Sequence, residues 1–256
     1  RAGSKANKYC YVKLDTDTAW PRLSVVKNPA AAGVHLGPLP SRKMAALVVD
    51  ALHTAVPLRR CTQRLGRNYT APLDAPVCSA AQLGVAHCPC SGTADPAAYA
   101  AAVEQATRAM RGDPAFVVER LHERMASLAA QQRFEEAAFT RDRLSALLGA
   151  IRRTCLLDAL AHAGHALVSL GEVTYEIEHG HLVDTRTEST LTSALPIGPA
   201  GAAEPGSPVP RDHADEALCL AKFFDRNVER LSVDCDGDWR FPVVAPTEIA
   251  PLRHAA

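Results

Sequence analysis

Four of the eight cysteines in this 256-residue chain lie within thirty residues of one another, at Cys61, Cys78, Cys88 and Cys90. The chain carries no secretory signal, so we expect reduced thiols or metal ligands rather than a disulfide scaffold. Thiolates at these separations can hold an iron–sulfur cluster or a zinc ion, with His87 as a spare ligand. The Cys88-Pro89-Cys90 spacing is a poorer chelate, so a metal-free loop of reduced cysteines remains the alternative.

The rest of the chain offers little other chemistry. The remaining cysteines are isolated in apolar surroundings, which is typical of small core residues: Cys10, Cys155, Cys219 and Cys235. No nucleophile motif, phosphate-binding glycine loop or H-x-x-E helix is recognisable. Five acidic residues near the C-terminus fall at caps and turns, where aspartate is favoured locally: Asp212, Asp215, Asp234, Asp236 and Asp238. We therefore predict no catalytic residue in this chain.

The cysteines follow a small basic unit. Residues 9–14 and 22–27 predict strands, residues 35–41 a break and residues 42–54 an amphipathic helix. Residues 1–70 hold twelve Lys or Arg against three Asp or Glu, whereas residues 171–256 hold seven against fifteen. A basic front can contact the phosphates of DNA, the alternative being a solvated surface without a ligand. The DNA-binding candidates are Lys13, Arg22, Lys27, Arg42, Lys43, Arg59 and Arg60.

Residues 113–151 predict a helical hairpin with a polar turn at residues 131–133. The apolar positions of its first helix step by three and four: Val118, Leu121, Met125 and Leu128. The apolar positions of its second helix do the same and form an apolar seam along the helix: Phe134, Ala137, Leu144, Leu148 and Ile151. Arg141 occupies the seam position between Ala137 and Leu144. This period alone is typical of a helical pair that packs inside a larger domain.

The elements around the hairpin are predicted from the capping and turn residues at their ends. Asp95-Pro96 and Asp113-Pro114 each predict a helix start, with the second hairpin helix ending near Gly164. Strands are expected at 166–170, 173–178 and 181–185, then a helix over 215–229 and a hairpin turning at Asp236-Gly237. The predicted segments are 1–61, 62–94 (cysteine-rich), 95–164 (helical), 165–193 (β), 194–211 (flexible linker) and 212–256. The expected fold class is α+β.

Composition adds broad limits. The chain is 47% hydrophobic and 22% charged, which is ordinary for a cytoplasmic protein, and its longest apolar run is too short to span a membrane. The first residue is arginine rather than methionine, so we expect a piece of a longer protein.

Two sets of motifs carry a family resemblance. F-E-x-A-A-x-x-R-D-x-L-x-A-L, beginning at Phe134, resembles the UVR motif, the helical hairpin shared by UvrB and UvrC of bacterial nucleotide excision repair. The front of the chain resembles the UvrC phrases Y-x-Y-I-K-L, P-R-L, F-G-P-Y-P-S and P-L-R-x-C, in that order. The matching residues are Tyr9, Tyr11, Lys13, Pro21, Arg22, Leu23, Gly37, Pro38, Pro40, Ser41, Pro57, Leu58, Arg59 and Cys61.

The resemblance to UvrC implies an iron–sulfur cluster on the four cysteines, although the third family cysteine falls on Ala86 and Cys88 comes two positions later. It also implies that the hairpin binds a UvrB-type partner. The residues expected to do so are Phe134, Glu135, Ala137, Ala138, Arg141, Asp142, Leu144 and Leu148. UvrC proteins cut DNA with GIY-YIG and RNase-H-like centres, and the motifs of both are missing here. The tail from about residue 152 resembles UvrC-like fusions that carry a DEDD-type exonuclease.

Three hypotheses follow. The first is the non-catalytic, DNA- and partner-binding part of a UvrC-like repair endonuclease. The second is a metal-binding adaptor of a Clp-type protease or kinase system, since UVR hairpins also occur there. The third is an α+β fragment without retained activity. The UvrC-like phrases at the front favour the first, because adaptors of that kind lack them.

Overall fold

The computed structural model describes residues 8–29, 32–63, 65–66, 69, 76–92, 94–187 and 205–244. Helices and two antiparallel sheets alternate along them, which confirms the α+β class. The described residues form two compact units: the N-terminal unit, Cys10–Ile151, and the C-terminal unit, which comprises Lys8, Tyr9 and residues 152–244. Among the helices described here, none combines the length and the apolar character that crossing a bilayer requires.

A three-stranded antiparallel sheet opens the N-terminal unit. Its strands are β1 (Cys10–Leu14), β2 (Leu23–Val26) and β3 (Val34–Leu39), in the order β2-β1-β3. The predicted break at residues 35–41 is therefore wrong, because most of it is strand β3. Pro38 is tolerated there because β3 is an edge strand and the β1–β3 register shifts between Cys10 and Val12.

Helix α1 (Arg42–Ala55) follows the sheet and packs against β1, β2 and β3. The Ser41 hydroxyl caps it by accepting a hydrogen bond from the Met44 N–H at 3.1 Å. Its buried side chains recur at steps of three and four: Ala45, Val48, Ala51 and Leu52. The helix predicted over 42–54 is confirmed. A single turn, α2 (Ser79–Gln82), lies in the cysteine-rich segment.

Three helices complete this part of the chain: α3 (Pro96–Met110), α4 (Ala115–Ala130) and α5 (Phe134–His162). The Asp95 carboxylate caps α3 by accepting from the N–H groups of Ala97 and Ala98, as the sequence predicts. The helix start predicted at Asp113-Pro114 is confirmed to within one residue, although the predicted capping arrangement differs. Pro114 itself is the N-cap of α4, and the Asp113 carboxylate pairs with the Arg108 guanidinium.

A four-stranded antiparallel sheet forms the C-terminal unit. Its strands are β4 (His165–Leu170), β5 (Val173–Glu178), β6 (His181–Thr187) and β7 (Ser232–Cys235), in the order β6-β5-β4-β7. The predicted turn at His179-Gly180 is confirmed, and both residues have positive φ angles (46° and 85°). Between β6 and β7 the chain forms helix α6 (Ala214–Asn227), and Phe224 on this helix is fully buried in the core.

The predicted hairpin around Asp236-Gly237 is wrong. Strand β7 pairs with β4 instead of with the residues that follow it. The Asp236 carboxylate accepts a hydrogen bond from the His165 N–H at 2.7 Å, and the Asp238 N–H donates to the His162 carbonyl at 2.7 Å. A Cβ atom at Gly237 would lie 2.2 Å from that carbonyl oxygen, so this turn requires glycine.

Two smaller expectations concern the isolated cysteines and the predicted linker. Cys219 is exposed, so its prediction as a core residue is wrong, whereas Cys10 is buried. Residues 194–204 of the predicted linker lie outside the described residues. In its described end, Val209 is buried and the Gly206 N–H donates to the Asp158 carboxylate at 2.9 Å.

Candidate functional site

The four clustered cysteines come together in the N-terminal unit from three separate segments. The Cys88 sulfur lies 3.3 Å from that of Cys61 and 3.0 Å from that of Cys90. The sulfurs of Cys78, Cys88 and Cys90 all lie within 4.8 Å of one another. All four side chains are free thiols. The geometry thus forms a cysteine cluster, centred on Cys88, that can hold a metal ion.

Local backbone structure explains how the sulfurs of Cys88 and Cys90 come together despite the short spacing of these residues. Residues Pro89–Ser91 form a 3-10 turn that ends at Gly92 with φ +70°. This turn brings the two sulfurs to within 3.0 Å of each other, whereas neighbouring ligands on an extended strand would point apart. His87 is exposed and lies outside the group of converging ligands, so its role as a spare ligand finds no support in the described residues.

The thiols of the cluster differ in acidity. Burial and the thiols of Cys90 and Cys61 raise the pKa of Cys88 well above its ordinary value. Burial also raises the pKa of Cys78, but hydrogen bonds from the Ala81 N–H and from neighbouring thiols outweigh it and leave that pKa lowered. A thiolate therefore forms more readily at Cys78 than at Cys88. A bound cation would favour the thiolate form of Cys88 as well.

Arg59 holds one side of the cluster, and the sequence did not indicate this role. Its side chain is buried, with 4% exposed, and its Nε donates to the Trp20 carbonyl at 2.7 Å. Its Nη1 donates to the Gln63 carbonyl at 2.9 Å and lies 3.5 Å from the Cys61 sulfur. The assignment of Arg59 to DNA binding is therefore wrong, because its guanidinium faces the protein interior.

Tyr99, on α3, is a second residue that the sequence analysis missed. Its hydroxyl accepts from the Arg59 N–H at 3.1 Å and donates to the Pro21 carbonyl. Its ring packs edge-on against Trp20 with centroids 5.0 Å apart. Burial is the main reason that its pKa rises to about 12, so it stays a neutral donor. Only its position in the apolar period of α3 signals that it is buried.

The helical hairpin of α4 and α5 is the second candidate site. A three-residue turn joins the helices, with Gln132 at φ 57° and the Arg133 N–H donating to the Leu128 carbonyl at 2.9 Å. The Arg133 guanidinium donates two hydrogen bonds, of 2.5 and 2.6 Å, to the Glu136 carboxylate. These bonds fix the turn and the start of α5.

The buried stripe of α5 is shifted from the predicted seam. Leu144, Leu148 and Ile151 are buried as predicted, but Thr140 and Leu147 are buried with them, whereas Phe134 is exposed and Ala137 half-buried. Thr140 is accommodated because its hydroxyl donates to the Glu136 carbonyl at 2.9 Å. Arg141 is exposed and bonds Asp142 at 3.0 Å, so its predicted place in the seam is wrong. In α4, Val117 rather than Val118 is buried.

Two large aromatic side chains of α5 lie in solvent, outside the buried stripe and on different sides of it. Phe134 is 65% exposed and Phe139, which the sequence analysis did not single out, is 61% exposed. Glu135, Arg141 and Asp142 are also exposed, and Ala137 and Ala138 are half-buried. Leu144 and Leu148 are buried, so neither is available to a partner in this conformation. Exposed aromatic side chains with charged neighbours are typical of an interaction surface.

Two family models match the chain over these elements. Residues 9–109 match the middle domain of the UvrC/Cho excinuclease, and residues 117–149 match the UvrB/UvrC motif. The chain carries a UvrC middle domain followed by a UVR motif. The resemblance to UvrC is thereby confirmed. The first match includes strands β1 to β3, the cysteine cluster and α3, and the second includes most of the hairpin.

Individual relatives agree with this. The chain is 34% identical to the UvrABC system protein C of Natronomonas pharaonis over 54% of its length, and this covers 23% of that protein. It is 29% identical to the protein of the same name from Haloarcula marismortui over 86% of its length, which covers 39% of that relative. The chain thus spans well under half of these relatives. No solved structure matches it significantly.

The remaining DNA-binding candidates of the middle domain differ in how exposed their side chains are. Lys13 and Arg22 are half-buried, and Lys13 lies 3.8 Å from the Asp15 carboxylate. The fully exposed candidates are Lys27, Arg42, Lys43 and Arg60. Arg42 and Lys43 occupy the first turn of α1, where the helix dipole adds positive potential.

Proposed function

We propose that this chain is a non-catalytic, DNA- and partner-binding part of a UvrC-like nucleotide excision repair endonuclease. The UVR match on a hairpin that exposes Phe134 and Phe139 is the observation that carries the proposal. The exposed face of α5 binds a UvrB-type protein, and the basic surface of the middle domain contacts DNA. The adaptor hypothesis loses its support, since residues 9–109 match the UvrC middle domain.

The cysteine cluster belongs to this proposal as a structural metal centre. A tetrahedral zinc ion with bonds of about 2.3 Å holds its sulfurs about 3.8 Å apart. The sulfur separations here, 3.0 and 3.3 Å with three sulfurs inside 4.8 Å, fit that ion after small shifts. A [4Fe–4S] cluster binds each cysteine through a different iron atom, so it requires the sulfurs to move further apart. Either the zinc ion or the iron–sulfur cluster would crosslink the three chain segments that carry the cysteines.

The partner surface gives a direct prediction. Phe134→Ala and Phe139→Ala should each weaken binding of a UvrB-type UVR peptide by about 2 kcal/mol, or roughly thirtyfold, because buried aromatic anchors dominate interface energies. Calorimetric titration of the full chain measures this. Arg141→Ala should have a smaller effect, since its side chain already bonds Asp142 in the free protein.

Leu83→Ala is the matched control for the partner surface. Leu83 is 76% exposed but lies in the cysteine-rich segment, outside the hairpin. This variant should bind the peptide like the wild type. Equal affinity of Phe139→Ala and Leu83→Ala would contradict the proposed surface, and thermal melts of each variant check that the fold is intact.

DNA binding gives a second prediction. Each cation that contacts a phosphate contributes about −0.9 to the slope of log K against log salt concentration. Arg42→Gln combined with Lys43→Gln should therefore make that slope shallower by nearly two, as measured by fluorescence anisotropy with duplex DNA. The control is Arg230→Gln, an exposed arginine of the acidic C-terminal unit. An unchanged slope in the double variant would exclude α1 from the DNA interface.

A further inference from the structure

The C-terminal unit contains a second group of converging ligands, far in sequence from the cysteines. His181 is the first residue of β6, His213 directly precedes α6, and Glu216 lies in the first turn of α6. One ligand atom from each of the three side chains lies within 4.8 Å of the other two. The UVR and middle-domain matches end before this region.

His181 is the independent sign that a ligand is missing from this group. Its side chain is 11% exposed, and its Nδ1 is buried without a hydrogen-bond partner in the described part of the chain. The nearest carboxylate oxygen, Glu216 Oε1, is 3.9 Å away, which is too far for a hydrogen bond. Buried polar atoms are almost always satisfied in native proteins, so this nitrogen requires an explanation.

The other two side chains are held in positions that suit coordination. The Leu182 N–H donates to Glu216 Oε1 at 2.9 Å, which fixes the carboxylate beside the His181 ring. The rings of His181 and His213 meet edge to face with centroids 4.7 Å apart. His213 and Glu216 are half-buried, so water can reach the group from their side.

We infer that His181, His213 and Glu216 bind a divalent transition metal of the zinc class, with water completing the coordination. Two imidazoles and one carboxylate form a donor set that zinc uses, whereas magnesium and calcium prefer oxygen ligands. A tetrahedral ion with bonds of about 2.1 Å holds its ligand atoms about 3.4 Å apart. The observed separations reach this value after side-chain shifts of about an ångström.

The ion would crosslink two secondary-structure elements of the C-terminal unit. It joins the start of β6 to the start of α6 and so closes a loop of roughly thirty residues between His181 and His213. Because the unfolded chain does not present the three ligands together, binding stabilises the folded unit.

Cobalt titration of the full chain tests the inference, because the two metal sites give different spectra. Cobalt on the cysteine cluster gives thiolate charge-transfer bands, and cobalt on the histidine site gives visible bands without them. For the wild type we expect the visible bands without thiolate charge transfer, with one cobalt ion per chain bound at the histidine site. His213→Asn and Glu216→Gln should each weaken it at least about tenfold, since even the loss of an outer-shell partner costs that much.

His165→Asn is the matched control, because His165 also contacts a carboxylate, that of Glu176 at 3.2 Å, but belongs to no three-ligand group in the described residues. This variant should bind cobalt like the wild type. Circular dichroism melts without metal should show that His213→Asn remains folded. The inference is overturned if the wild type lacks the thiolate-free bands, or if they persist unweakened in folded His213→Asn.

Discussion

Replacing Cys88 with serine is expected to remove the metal from the cysteine cluster. The Cys88 sulfur contacts those of both Cys61 and Cys90, so its loss breaks the centre of the ligand set. Zinc or iron bound with thiolate signatures should fall at least about tenfold per chain. The N-terminal unit should also melt earlier, because structural metal binding contributes directly to folding free energy. Elemental analysis and cobalt charge-transfer bands measure the first effect.

Cys219→Ser provides the control for that experiment. Cys219 is exposed and lies on α6, outside the cluster, so its replacement should leave the thiolate-bound metal unchanged. If the wild type binds no metal through thiolates, or if Cys88→Ser binds as much as Cys219→Ser, the cluster is a metal-free structural loop. The histidine site is independent of this outcome.

Removing the Arg59 side chain should strongly destabilise the N-terminal unit. Arg59→Ala leaves the buried carbonyl of Trp20 and the carbonyl of Gln63 without their donor and removes the positive charge beside Cys61. The expected loss is about 2–4 kcal/mol of unfolding free energy, mainly from the carbonyl groups left without a donor. Arg59→Lys should recover only part of it, since an ammonium group cannot reproduce the guanidinium fork. Urea unfolding measures all three proteins.

Arg60→Ala is the neighbouring control. Arg60 is exposed, and its guanidinium donates to the His53 carbonyl at 3.0 Å on the protein surface. Its removal should cost less than about 1 kcal/mol. Similar losses in Arg59→Ala and Arg60→Ala would contradict the role of Arg59 as the support of the cluster.

Sequence periodicity predicted most helices and strands, because each has a clear apolar face or a capping residue. It failed where tertiary pairing overrides local signals. Strand β3 contains Gly37 and Pro38, which locally indicate a break, but its place at the sheet edge tolerates them. The residues after β7 resemble the second strand of a hairpin, but β7 pairs with β4, which is remote in sequence.

The site residues show the same limit. The four cysteines were predictable from their type and their resemblance to UvrC, and the structure brings their sulfurs together. The role of Arg59 was not predictable, because a sequence does not show which arginine is buried. The shift of the seam in α5 has a similar origin, since Thr140 can be buried once its hydroxyl bonds the helix backbone, whereas Arg141 remains in solvent.

The pairing of β7 with β4 also bears on how the chain folds during synthesis. The three strands of the first sheet lie within residues 10–39, so that sheet can form from neighbouring segments. In the second sheet, Ser169 pairs with Ser232, roughly sixty residues later, and such non-local contacts form slowly. Until β7 has been synthesised, the outer edge of β4 offers unpaired N–H and C=O groups to other nascent chains. The last strand therefore protects the C-terminal unit from aggregation as well as completing its sheet.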